Sequence, residues 1–220
     1  MYILLTGGSR GIGKAIKNIF SASGHIVINP TRQELDLCDI KQVEKYIKTL
    51  PDIDIIINNA GVNNLEDIEL ESYDNISKIF NINYLAPFFI CKHFLPKMKS
   101  KNYGRIINIG SIWIDFAKEK RSSYSASKNA LHSLTKSITA EYSSYNILCN
   151  TISPGYILTD LTLKNNSKED LENITTQIPL NRLGSVDEIA DLVYFLTIKN
   201  TYINGQNIRI DGGYSCTSKS

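Results

Sequence analysis

At 220 residues, 42% hydrophobic and 21% charged, the chain has the composition of a soluble globular protein and the length to bury one sizeable core. A net charge of +2 offers no basic field for nucleic acid or a membrane surface, and no apolar run approaches the ~18 residues that a membrane-spanning helix needs. Four scattered cysteines (Cys38, Cys91, Cys149, Cys216) and three isolated histidines lack metal-ligand spacing, so reduced thiols and no metal are expected.

Met1-Tyr2 leads straight into the apolar residues 3–5, which leaves no space for a signal peptide, and a cytoplasmic protein is expected. The first strand runs into Thr6-Gly7-Gly8-Ser9-Arg10-Gly11-Ile12-Gly13 and a helix to about residue 23. Such a strand, glycine-rich turn and helix let backbone amides and a helix N-terminus face a pyrophosphate, with glycines where a Cβ would block close approach. Residues 25–28 read as a second strand, followed by Asn29-Pro30-Thr31-Arg32. A short third strand is expected near Glu34-Leu35-Asp36-Leu37-Cys38-Asp39. Too few residues separate Ile28 from Leu35 for a helix, so the second crossover is expected to be a loop.

A helix over 40–50 leads to the continuous apolar strand 53–57, which ends in Asn58-Asn59-Ala60-Gly61, small residues that allow close approach to backbone. Residues 72–100 form one long helical pattern with Asn81, Asn83 and Pro87 inside it, and polar residues there often mark a kink. The apolar run 105–110 reads as a buried parallel strand with Ser111 at its end, where open α/β sheets carry their sites. Trp113, Ile114, Asp115 and Phe116 leave that strand end, either facing substrate or packing.

Tyr124 and Lys128 stand four apart on the next helix, on one face. A phenol titrates near 10 and needs a neighbouring cation to exchange protons at neutral pH. At roughly 4 Å and an effective dielectric of about 20, a unit charge contributes on the order of 4 kcal/mol, about three pKa units, so Lys128 is expected to lower Tyr124. A further strand over 146–152 closes in Ser153-Pro154-Gly155-Tyr156-Ile157-Leu158-Thr159. Residues 156–182 have the look of a mobile lid, Ser185 and Glu188 form a capping box, and a last strand over 206–210 ends in Asp211-Gly212-Gly213. With no repeats or linkers, 1–220 is expected to be one domain: a Rossmann-like, doubly wound parallel sheet with helices on both faces and a shortened second crossover.

Ser111, Tyr124 and Lys128 at this spacing resemble the short-chain dehydrogenase/reductase family, and the resemblance covers essentially the whole chain. Gly7, Gly11 and Gly13 match its Thr-Gly-x-x-x-Gly-x-Gly form, Asn58-Asn59-Ala60-Gly61 its Asn-Asn-Ala-Gly motif, and Asn83 its helix asparagine. The resemblance implies a hydride transfer between a nicotinamide and a ketone/secondary alcohol pair. Ser111 would hold the carbonyl oxygen, Tyr124 protonate it and Lys128 bind the ribose, while Asn83 would hold a water linking Lys128 to solvent. It further implies cofactor contacts from Gly7, Ser9, Arg10, Gly11, Ile12, Gly13, Asp36, Leu37, Asn59, Ala60, Gly61, Pro154, Gly155, Ile157 and Thr159, besides Tyr124 and Lys128. A dimer or tetramer through the helices near 72–100 and 124–144 is also implied.

NADP(H) is expected over NAD(H), because no acidic residue follows the second strand directly while Arg32 there, with Arg10, suits a 2′-phosphate. Glu34 is the competing candidate. Gly110-Ser111 and Ile210-Asp211-Gly212-Gly213 are most similar to the 3-oxoacyl-carrier-protein reductases, and Lys97, Lys99, Lys101 and Arg105 are a candidate patch for an acidic carrier. A sugar or other polar ketone stays open through Lys118-Glu119-Lys120-Arg121, and so do a non-catalytic nucleotide binder and an epimerase or dehydratase, although nothing after Gly213 supplies the added domain of the latter.

Overall fold

The computed structural model describes residues 1–159, 162–163 and 166–216. Six parallel strands form one sheet, β1 (Tyr2–Leu5), β2 (Ile26–Ile28), β3 (Ile55–Asn58), β4 (Gly104–Ile109), β5 (Ile147–Pro154) and β6 (Asn207–Ile210). Their order is β2-β1-β3-β4-β5-β6. The chain therefore winds one way from β1 to β2 and the other way from β3 onward, and the crevice of such a sheet opens at the carboxyl ends of β1 and β3.

Side-chain alternation sends Leu4, Ile56 and Ile106 to one face, under α2 (Ile40–Ile47), α4 (Ala86–Lys101) and α5 (Ser122–Tyr142). Ile3, Ile55, Ile57 and Ile107 go to the other, under α1 (Gly11–Ala22) and α7 (Val186–Tyr194). Both faces are covered, which is why strands such as β3 are apolar throughout: Ile55, Ile56 and Ile57 are fully buried, each worth about 1.5–3 kcal/mol. Ser185 caps α7 in the expected box with Glu188, and Ser167 with Asp170 caps α6 (Lys168–Gln177) in the same way.

The expected short third strand does not form. Residues 29–39 are turns: the Asp36 carboxylate accepts from the Cys38 amide at 3.0 Å, and Asp39 caps α2 by accepting from Lys41 and Gln42. These local bonds compete with a ladder and win, while Leu35 alone enters the core. No helix occupies 29–39, as expected, but with no third strand to reach, that loop continues into α2 before β3, and β2 is left as an edge.

The long helical pattern is also interrupted. α3 (Tyr73–Phe80) passes through a π-turn, Asn81–Leu85, into α4, and Asn83 sits inside the turn. One extra residue per turn there re-aims the side chains, a common device at functional sites. Among the described residues no helix is long and apolar enough to cross a membrane, and no cluster of His, Cys, Asp and Glu could hold a metal.

Candidate active site

A cleft of about 430 Å³ opens at the switch between β1 and β3. Its floor is the glycine-rich turn. Gly7 adopts φ +69°, and a Cβ on Gly13 would lie 2.1 Å from the Gly7 carbonyl oxygen, so neither accepts a side chain. Asn59 stitches the end of β3 to this turn, its amide donating to the carbonyls of Thr6 and Gly7 at 3.0 and 2.9 Å. Asn29 accepts from the Gly8 amide at 2.9 Å. No side chain caps α1 and no acidic residue stands in its first turn, so its leading amides remain for an anion.

Thirteen of the expected cofactor residues line the cleft: Gly7, Ser9, Arg10, Gly11, Ile12, Gly13, Arg32, Asp36, Leu37, Asn59, Ala60, Gly61 and Thr159. Thr159, from the segment after β5, crosses to lie against Gly11. Pro154, Gly155 and Ile157 do not line it. Gly155 bonds back to Ile210 at 3.0 Å, and Ile157 is buried in a bridge to Gly184. Thr6, Pro30, Thr31, Leu35, Val62, Lys78 and Ile82 also line the cleft and were not foreseen. Thr6 stands in the quoted glycine motif. Lys78, on α3, carries no sequence signal.

Beyond the cleft, Tyr124 on α5 stands close enough to Ser111, just past the carboxyl end of β4, for the serine hydroxyl to pull its phenol's pKa down. A chain of buried polar contacts fixes α5 against that strand. Asn58 donates to Asn108, and Asn108 to Thr135, both at 2.8 Å. Lys128, 3% exposed, donates to the Ile109 carbonyl at 2.7 Å, and burial pushes its ammonium from the usual 10.5 to about 8. Asn83 accepts from the Val62 amide and donates to the Val62 carbonyl, both at 2.9 Å, and donates to Ser127 at 3.0 Å. Gly61 lies against both Lys128 and Asn83, linking them to the cleft wall.

The expected lowering of Tyr124 by Lys128 is corrected. Burial pushes the phenol above its usual value, and the groups that pull it down are Ser111 and the Arg121 guanidinium. The Lys128 nitrogen stands 5.8 Å from the centre of the Tyr124 ring and is committed to Ile109. A fully protonated phenol is a proton donor, the form that carbonyl reduction uses.

Trp113 packs: it is buried, and its ring meets Phe116, Tyr156 and Tyr214 edge-on at 5.6–6.3 Å. The candidate carrier patch lies elsewhere. Lys97 and Lys101 pair with Asp52, Lys99 covers Tyr145, and Arg105 is buried with a bond to the Asn146 carbonyl. Arg105 is the second residue of β4 and Ser111 follows its end, roughly 20 Å away at ~3.3 Å per residue. That patch faces the opposite end of the sheet from Ser111.

A family model described as Enoyl-(Acyl carrier protein) reductase matches residues 33–215. The 3-oxoacyl-[acyl-carrier-protein] reductase FabG of Rickettsia felis is 33% identical, with 96% of this chain and 95% of that protein aligned. The chain belongs to the short-chain dehydrogenase/reductase family. It is an oxidoreductase of the nicotinamide-dependent kind found there. Among solved members of the family, a 4-hydroxyisoleucine dehydrogenase mutant complexed with NADH and succinate is 28% identical with a TM-score of 0.93, covering 99% of both chains. ElxO with NADP bound is 27% identical with a TM-score of 0.89, covering 98% of this chain and 99% of that one.

Proposed function

We propose that the chain reduces a ketone to a secondary alcohol with NADPH, using Ser111, Tyr124 and Lys128. The observation that carries this is the gathering of Ser111, Tyr124 and Lys128 at the carboxyl end of β4, beside a cleft floored by the glycine-rich turn. When bound, the nicotinamide supplies the hydride to the carbonyl carbon. Ser111 holds the carbonyl oxygen and Tyr124 gives it a proton. Lys128 holds the ribose side, and Asn83 supports a water through which Tyr124 is reprotonated. Of the expected lid 156–182, residues 160, 161, 164 and 165 lie outside the described residues, and Thr159 lines the cleft.

NADPH is favoured because Arg10, Arg32 and Lys78 line the cleft, with Asp36 the sole carboxylate among the described lining residues. Glu34 is turned back on the Thr31 amide at 2.7 Å. Arg32 keeps 77% of its side chain exposed and makes only a 3.9 Å contact to Asp36, which leaves it available to a phosphate. We further propose a cytoplasmic homodimer or homotetramer through α4 and α5, since Phe88 and Phe89 stay half-buried in the single chain. Light scattering that shows only a 24.7 kDa species would refute it.

The FabG relatives support a 3-oxoacyl thioester as substrate. A second reading, a small polar ketone, is favoured by Lys118 and Arg121, which stand over the aromatic cluster next to Ser111. NADPH oxidation with purified protein should be followed against acetoacetyl thioesters, sugar ketones and oxo acids. Oxidation with none of them would sink the proposed reaction.

A further inference from the structure

The loop between Ser111 and α5 brings two cations to an aromatic wall assembled from three strand ends. Trp113 follows β4, Tyr156 follows β5 and Tyr214 follows β6, and the last two rings meet at 5.4 Å. Lys118 donates to the Tyr156 hydroxyl at 2.7 Å and lies 5.3 Å from the centres of the Trp113 and Tyr156 rings. The Arg121 guanidinium stands 5.6 Å from the Trp113 ring. It is near enough to the reacting phenol to act on Tyr124 electrostatically, and it acts on Tyr156 as well.

Among the described residues neither cation has a carboxylate within 4 Å, although their neighbours do: Lys120 pairs with Asp67 at 3.4 Å, and Asp115 of the same loop pairs with Arg209 at 3.6 Å. Glu71 is occupied by the hydroxyls of Ser122 and Ser123. Glu119 and Asp170 act on Lys118 only from beyond ion-pair distance. The Arg121 Nε is buried without a hydrogen-bond partner, which native proteins seldom leave so. Burial first, and Arg121 next, push the Lys118 ammonium below its usual value, a like-charge strain that an anion between them relieves.

We propose that the substrate is a ketone bearing an oxyanion, a carboxylate or a phosphate, which Arg121 and Lys118 bind against the wall of Trp113, Tyr156 and Tyr214. The inference rests on the ketone reduction proposed above and names the substrate class for that site. A planar guanidinium donates two N–H bonds to either oxyanion, and the ammonium supplies the third donor.

Trp113 is the only tryptophan of the chain, so tryptophan fluorescence reports on this wall directly. The NADP⁺-saturated protein should be titrated with malonate, inorganic phosphate and neutral malonamide. A saturable change with malonate or phosphate but not with malonamide is expected, and the tighter of the two anions identifies the head group. Arg121→Gln and Lys118→Met should each weaken it by about tenfold or more, the scale of a lost charge-assisted bond. Absence of saturation in the wild type, or equal binding of malonamide, would overturn the proposal without reference to the variants' folding. Anion binding with no reduction of any ketone would sustain this site and refute the reaction; reduction without anion binding would do the reverse.

Discussion

The Lys128 ammonium donates to the carbonyl oxygen of Ile109, the last residue of β4, at 2.7 Å while standing 3% exposed. That burial lowers its pKa from 10.5 to about 8, so between those values the unfolded chain binds more protons than the folded one. Stability from this group therefore rises with pH across that window, and below about 8 the full cost of burying the charge is present. Lys128→Met should be relatively most favourable near pH 7 and lose ground toward pH 10. Urea unfolding of both proteins at several pH values checks this, and parallel stability curves would refute it. As the proposed ribose ligand, Lys128 should also weaken cofactor binding when replaced by Ala.

Tyr124→Phe should retain cofactor binding and lose roughly 10²–10⁴-fold in turnover, the range for a positioned proton donor. Because burial holds the phenol protonated, reduction by the wild type should show no loss of rate attributable to Tyr124 ionisation at neutral pH. Near-normal turnover in Tyr124→Phe would remove Tyr124 from the mechanism.

Asn83→Ala breaks three bonds at once, two to the Val62 backbone and one to Ser127. A loss of about 1–3 kcal/mol in unfolding free energy is expected from the buried groups left unpaired. Turnover should fall further than in Ser127→Ala, which removes only one of the three. A wild-type denaturation midpoint in Asn83→Ala would show that the π-turn does not depend on it.

Arg32→Ala should reduce the ratio of kcat/KM for NADPH over NADH by about tenfold or more, the size of a lost charge-assisted contact. A wild-type preference for NADH, or a ratio unchanged in the variant, would show that another residue reads the ribose.

Strand identity was legible wherever both faces of the sheet are covered, because Ile55, Ile56 and Ile57 then have no polar face to disguise them. The glycine turn, Ser111 and the Tyr124–Lys128 pair were legible through local spacing. The missing third strand was not, since Leu35 and Leu37 look like strand residues and the competing bonds of Asp36 and Asp39 appear only once the loop is closed. The shift of Tyr124 was misjudged for a related reason: helical spacing places Lys128 nearby, but only packing shows the ammonium drawn toward Ile109. Lys78 reaches the cleft from α3, distant in sequence, and no local pattern announces it.

The absent third strand makes β2 the outermost strand on its side and leaves the turn 29–39 suspended from few anchors. Leu35 enters the core, and the Asn81 amide donates to the Cys38 carbonyl at 3.1 Å. Arg32, between β2 and those anchors, belongs to no ladder and no helix. The stretch is in effect a detachable cassette: its residues 30–34 can be exchanged for those of a relative while every strand keeps its neighbours. With Arg32 as the proposed reader of the ribose, a lineage built this way can change its electron donor by surface drift alone, without passing through a repacked core.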